Sequence, residues 1–153
     1  MWQGWLRHIH IADAGRMPML PQEAALLIAG QGIAGDRYAT GRGHYSEFPD
    51  IREVTLIEVE TLEALQRDHG VTLLPEEHRR NLTVEGVPLN HLVGRRFRVG
   101  EVVLEGGRLN TPCRYLDLVT GKTVCDLLTH RSGLNARIIT GGTIHTGDQV
   151  RPV

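Results

Sequence analysis

A mainly β fold with short helices, of the α+β class, is predicted by three features of the sequence. The predicted elements are short and Gly or Pro separates them throughout. Strand patterns outnumber the helical ones, of which three brief examples can be picked out. No internal repeat, low-complexity tract or Pro/Ser-rich linker divides the 153 residues. Together these favour one domain over residues 1–153, built on a curved or barrel-like mixed sheet rather than a βαβ repeat. A chain of this length buries roughly 68–70% of the surface its unfolded state exposes, enough for a core without disulfides or a structural metal.

Trp5–Ile11 alternates in part, as a half-buried strand does, and Glu23–Ala29 reads as a second strand. Arg52–Ile57 is rich in β-branched residues and leads into a helix over Glu58–His69. There Val59, Leu62 and Leu65 recur at helical spacing, and Gly70 stands where a C-terminal cap belongs. Asn81–Val84 is a short strand, and Arg95–Val99 and Glu101–Glu105 flank Gly100 as a hairpin. Tyr115, Leu116, Leu118 and Val119 predict a short helix before Gly121. Thr123 with Asp126 matches a capping box, followed by Val124, Leu127 and Leu128 as an apolar helix face before Gly133. Leu134–Ile139 and Gln149–Val153 complete the strands.

The net charge of −1 excludes a broadly basic nucleic-acid binder, and the longest apolar run, Ala24–Ala29, is far too short to span a bilayer. Neither nucleic acid nor membrane is an expected partner. The N-terminus lacks a basic segment followed by an apolar one, so the cytoplasm is the expected location. Of the 17 basic residues 16 are Arg and only Lys122 is Lys. Biased codon usage is the simplest cause; the functional reading is that some guanidiniums grip a planar oxyanion.

Gly30-Gln31-Gly32-Ile33-Ala34-Gly35 matches the dinucleotide pattern G-x-G-x-x-G literally, yet no apolar helical period follows it, so it is read as a turn. That turn delivers Asp36 and Arg37 together, either as a local ion pair or as an anion-gripping Arg37 oriented by Asp36. Among the eight histidines only His8 and His10 are spaced to share a strand face, which supports metal binding weakly. Two cysteines cannot hold an iron–sulfur cluster. Cys113 lies in the loop Leu109-Asn110-Thr111-Pro112-Cys113-Arg114, where its thiol is accessible and Arg114 favours the thiolate. Cys125, with Leu128 three positions on, is read as packing.

Four segments in order resemble the MOSC domain, the C-terminal domain of molybdenum-cofactor sulfurases, which also occurs as a stand-alone bacterial protein. They are Gly32-Ile33-Ala34-Gly35-Asp36-Arg37-Tyr38, Arg79-Arg80-Asn81-Leu82-Thr83-Val84-Glu85-Gly86, Thr111-Pro112-Cys113, and His130-Arg131-Ser132-Gly133-Leu134-Asn135-Ala136 followed by Gly141-Gly142-Thr143-Ile144. The resemblance covers almost the whole chain. It implies a MOSC-type β-barrel and a loop cysteine, here Cys113, that is either a molybdenum ligand or a sulfur carrier. It further implies that Arg37, Arg79 and Asn81, with Arg80, Thr111 and Arg131 after them, hold the molybdenum cofactor (molybdopterin).

Three functions are compatible with that resemblance. The first is two-electron reduction of N-hydroxylated small molecules, with electrons from a flavin or iron–sulfur protein, since this chain cannot store them. The second is a carrier that takes a persulfide on Cys113 from a cysteine desulfurase. The third is a module that holds the cofactor without turnover. No counterpart is expected here to the extra N-terminal β-barrel domain that adjoins the MOSC domain in the larger reductases. Its role in bounding the substrate pocket is expected to pass to Arg42-Gly43-His44-Tyr45-Ser46 or to a second copy of the chain in a homo-oligomer.

Overall fold

Eleven strands and two α-helices follow one another in the computed structural model, which describes residues 1–153. The strands are β1 (Gly4–Ile11), β2 (Leu20–Gln22), β3 (Ala24–Ile28), β4 (Gly32–Ile33), β5 (Val54–Glu58), β6 (Leu82–Glu85), β7 (Arg96–Val99), β8 (Val102–Leu109), β9 (Leu134–Thr140), β10 (Gly142–His145) and β11 (Gln149–Pro152). The helices are α1 (Val59–His69) and α2 (Arg114–Thr120).

Seven strands pair in the order β11-β7-β8-β9-β5-β6-β1, and β1 pairs back onto β11, closing a barrel. Every neighbouring pair is antiparallel except β5–β6. A parallel pair cannot be joined by a hairpin, and α1 is the crossover that joins this one. Its Gly70 adopts the left-handed conformation at φ 67° and returns its N–H to the Gln66 carbonyl, as the sequence leads one to expect. β2 adds to the far half of β1, and β10-β3-β4 form a separate three-stranded sheet.

The barrel is filled by alternation. Phe97 and Val99 of β7, Val102 and Leu104 of β8, and Leu134, Ala136 and Ile138 of β9 all face one continuous core. A smaller cluster, including Ile57, Leu65, Leu116, Val124 and Leu128, packs α1 and α2 against the outside of β5. Gly133 fixes the approach of β9 to β5: it sits at φ 104°, and a Cβ there would collide with the Leu56 carbonyl oxygen.

The structure departs from the sequence reading at several places. β2, β4 and β10 were not expected, and β8 runs on past Glu105 to Leu109. The Thr123–Asp126 capping box does not form, because Asp126–Leu128 is a single 3₁₀ turn that begins at Asp126 and has no side-chain cap. Asp117 of α2 does that work instead, its Oδ1 accepting the N–H groups of Val124 (2.8 Å) and Cys125 (2.9 Å). No helix follows Gly35, in keeping with the turn reading of the glycine pattern.

Candidate functional site

Cys113 is the last extended residue before α2, and the backbone of β8 delivers it there through Asn110, Thr111 and Pro112. Its thiol lines a cavity of about 260 Å³ at one end of the barrel. Five guanidiniums line the same cavity, those of Arg37, Arg52, Arg79, Arg80 and Arg108, and no carboxylate does.

Arg37 emerges from the glycine turn already committed to Asp36, with Nη1 2.9 Å from Oδ1, while Nη2 donates to the Arg79 carbonyl at 3.0 Å. Asp36 is fully buried and also accepts the N–H groups of Ala12 and Tyr38. Asp36 and Arg37 therefore form the expected local ion pair, and the paired guanidinium still borders the cavity.

Arg79 holds an unusual backbone for a side chain with a Cβ, φ 70°. It is 9% exposed; Nη1 donates to the Met17 carbonyl, whereas Nε and Nη2 are buried without a hydrogen-bond partner. Burial, then the like charge of Arg37, lowers its pKa, and the nearby Tyr115 and Tyr38 phenols oppose that shift.

Arg80 is 8% exposed and is held entirely by neutral acceptors: the Ser132 and His78 carbonyls, Asn110 Oδ1 at 2.8 Å and Ser132 Oγ at 2.7 Å. Burial lowers it to about 10, with Cys113 acting in the opposite direction, so it stays charged at neutral pH. Arg108 is gripped by both oxygens of Asp50, which also meets Arg52.

The direct partner of the thiol is Tyr45, its Oη 2.7 Å from Cys113 Sγ. Burial first, then the hydrogen bond with Cys113, raises the Tyr45 pKa well above the usual range for a phenol. Tyr45 thus keeps its proton; either group of this pair can donate, and toward a thiolate the phenol is the one that does. Arg114, expected to favour the thiolate, instead reaches Asp117 and Asp126 at 3.4 Å with its side chain 70% exposed. A wider outer cleft, bounded by Arg16, His44, Leu118 and others, shares Cys113, Tyr45 and Tyr115 with the inner cavity, so the thiol borders both. His44 stacks flat on Tyr115, ring centroids 4.0 Å apart.

Of the residues singled out by sequence, Cys113, Arg37, Arg79, Arg80 and Thr111 meet in the cavity. Two do not. Asn81 is fully buried and pins three strands together, bonding Thr55 and the His10 carbonyl. Arg131 donates to the Leu127 carbonyl and approaches Asp68 at 3.8 Å, away from the cavity lining. Cys125 is 8% exposed, as a packing residue should be, and burial raises its pKa. His8 is exposed and His10 buried, and although their ring centroids lie 6.2 Å apart, no cluster of three metal-ligating side chains forms around them.

Sequence reasoning missed Arg52, Arg108, Asn110 and Asn135 as lining residues. Tyr45 was legible only as part of the polar stretch that was expected to bound a substrate.

The MOSC domain profile matches residues 43–151 of this chain. A comparison with curated proteins finds no match. Among solved structures, the YuaD protein of Bacillus subtilis superimposes with a TM-score of 0.81 at 20% identity, covering 98% of this chain and 97% of that one. YiiM of Geobacillus stearothermophilus gives 0.76 at 13% identity, over 98% of this chain and 75% of its own. YiiM of Escherichia coli gives 0.68 at 18% identity, over 96% and 69%. At such identities the likeness is one of fold.

Proposed function

Because this chain belongs to the MOSC domain family, we propose that its arginine-lined cavity holds the molybdenum cofactor, with Cys113 as a metal ligand, and that it reduces N-hydroxylated small molecules. The observation that carries the reading is Arg79: two of its guanidinium nitrogens are buried without an acceptor on the wall of the cavity that Cys113 also lines. Unmade hydrogen bonds of a buried charge are costly, and an anionic ligand with forked acceptors would complete them.

The donor set fits the cofactor. Arg79 and Arg80, with Arg37 beside them, would hold its phosphate or pterin oxygens, and Thr111 offers a further hydroxyl on the cavity wall. A thiolate is the soft ligand that molybdenum prefers, and Tyr45 is placed to donate to it. When bound, the cofactor would supply a centre able to pass two electrons. Reduction of an N–OH group to N–H with release of water consumes two electrons and two protons, and the electrons would come from a flavin or iron–sulfur protein. A cytoplasmic setting would keep Cys113 and Cys125 as the free thiols seen here.

The test is the molybdenum content of protein purified from a host that makes the cofactor. Stoichiometric molybdenum in the wild type, absent from Cys113→Ser, is the expected result. A metal-free wild type overturns the reading.

A second reading, a sulfur carrier loaded by a cysteine desulfurase, draws support from the outer cleft, through which Cys113 is open to a larger donor. It predicts sulfane sulfur on Cys113 and no molybdenum.

A further inference from the structure

The charges around Cys113 do not balance. Of the five guanidiniums lining the cavity, Arg37 is matched by Asp36, while Arg52 and Arg108 share Asp50. Two carboxylates against five cations leave an excess of three, and Cys113 as a thiolate reduces it to two. The two that meet no carboxylate at all are adjacent residues, Arg79 and Arg80, 9% and 8% exposed. Arg80 spends its donors on neutral oxygens, and Arg79 has Nε and Nη2 with nothing to receive them. Buried charge without a counter-charge is expensive, so the site is complete only with a dianion. Guanidinium forks favour an oxyanion, and a cavity of about 260 Å³ admits a small one with room to spare.

We propose that, in the absence of a cofactor, this site takes sulfur directly from a small dianionic sulfur oxyanion, thiosulfate being the simplest, and loads it onto Cys113. The proposal rests on the carrier reading and names a donor that needs no partner protein. The Cys113 thiolate attacks the outer sulfur of thiosulfate and a new S–S bond forms. The original S–S bond breaks, its electron pair leaving with sulfite. One thiolate and one dianion give one persulfide anion and one dianion, so charge balances and no external oxidant or reductant is needed. Arg79 holds the oxygens that stay with the departing sulfite, Arg80 adds its unmatched charge beside it, and Tyr45 Oη–H supports the attacking sulfur. Cyanide or a small thiolate then removes the outer sulfur, as thiocyanate or a new persulfide, and restores the Cys113 thiolate.

The experiment uses the full chain from a host unable to make the molybdenum cofactor, incubated with thiosulfate or with a neutral dialkyl trisulfide, which passes an alkylthio group to the same thiol and expels an alkyl persulfide anion. Intact mass reports loading, and thiocyanate released by cyanide reports turnover. Thiosulfate should add one sulfur atom to the wild type and none to Cys113→Ser. Arg79→Gln should lower the ratio of thiosulfate to trisulfide loading about tenfold, the value of a lost charge-assisted hydrogen bond. Loading of the wild type by trisulfide but not by thiosulfate would overturn the proposal and leave the carrier reading intact. Loading by neither would overturn both. An unchanged donor ratio in Arg79→Gln would remove the arginine from the argument and the proposal with it.

Discussion

A thiol becomes chemically useful through what faces it, and Cys113 faces a phenol rather than its sequence neighbour. Tyr45 Oη lies 2.7 Å from the sulfur, the donor placed to meet a thiolate there, while Arg114 is occupied by two aspartates. Tyr45→Phe removes that donor, so alkylation of Cys113 by iodoacetamide near neutral pH should slow by about tenfold; an unchanged rate would show that the hydroxyl does not act on the thiolate. Cys125 is the internal control: it should alkylate only on unfolding, and Cys125→Ala should cost of order 1 kcal/mol in denaturant titration and leave Cys113 reactivity intact. Sequence identified the thiol, since a cysteine between Pro112 and Arg114 stands out, but its partner lies 68 positions away and only the fold brings it near. The same holds for Asn81. Its place in a family motif made it look like a ligand, whereas its amide joins β1, β5 and β6.

At the level of elements, the segment between β4 and β5 is held over the cavity by one carboxylate. Asp50 grips Arg108 of β8 and meets Arg52, and the same segment carries His44 onto Tyr115 and Tyr45 onto Cys113. Chiefly through Arg108, the Asp50 carboxyl is lowered to about 2. A lowered pKa stabilises the fold fully above the unfolded value of about 3.9, and the contribution is lost as pH falls through about 2. Asp50→Asn should therefore flatten the decline of stability across that acid window. It should also speed tryptic cleavage at Arg42 and Arg52 at neutral pH; an unaltered cleavage rate would mean that the segment is held by its aromatic contacts alone.

Elements with clean patterns, such as β1, α1 and β9, were legible in the sequence to within a residue or so. The misses have a physical cause: Gly106-Gly107 and Gly141-Gly142 look like turns, yet the first pair lies inside β8 and the second opens β10. At Gly106 a Cβ would strike the Leu92 carbonyl, and at Gly107 the Ile51 side chain, so close packing rather than a turn demands glycine.

For the molecule as a whole, a net charge of −1 conceals an uneven distribution, with five guanidiniums gathered around one cavity. Composition showed the preference for Arg, but only the closed barrel shows where it is used. Behind that cavity lies His78, fully buried, accepting the Arg80 N–H at Nδ1 and bonded through Nε2 to Thr83. Burial, then the charge of Arg80, lowers its pKa well below the usual value, and burial together with His8 lowers His10 in the same sense. The unfolded chain binds these protons below about pH 6.5 and the folded one resists them. Stability should thus be complete above that pH and fall on acidification, by up to about 1.4 kcal/mol per pH unit for each such histidine. Urea midpoints at about pH 7.5 and pH 5.5 would check this, and equal midpoints would mean that both rings protonate freely in the fold.

The barrel's seam is its shortest join. β1 and β11 meet over two residue pairs, Gly4 with Val150 and Trp5 with Gln149. During synthesis the ring must stay open until β11 leaves the ribosome, with the start of β1 and the outer side of β7 as bare edges in the meantime. Closure then depends on a contact spanning nearly the whole chain, which is entropically slow. The nascent protein is therefore most exposed to edge-to-edge misassembly just before β11 arrives.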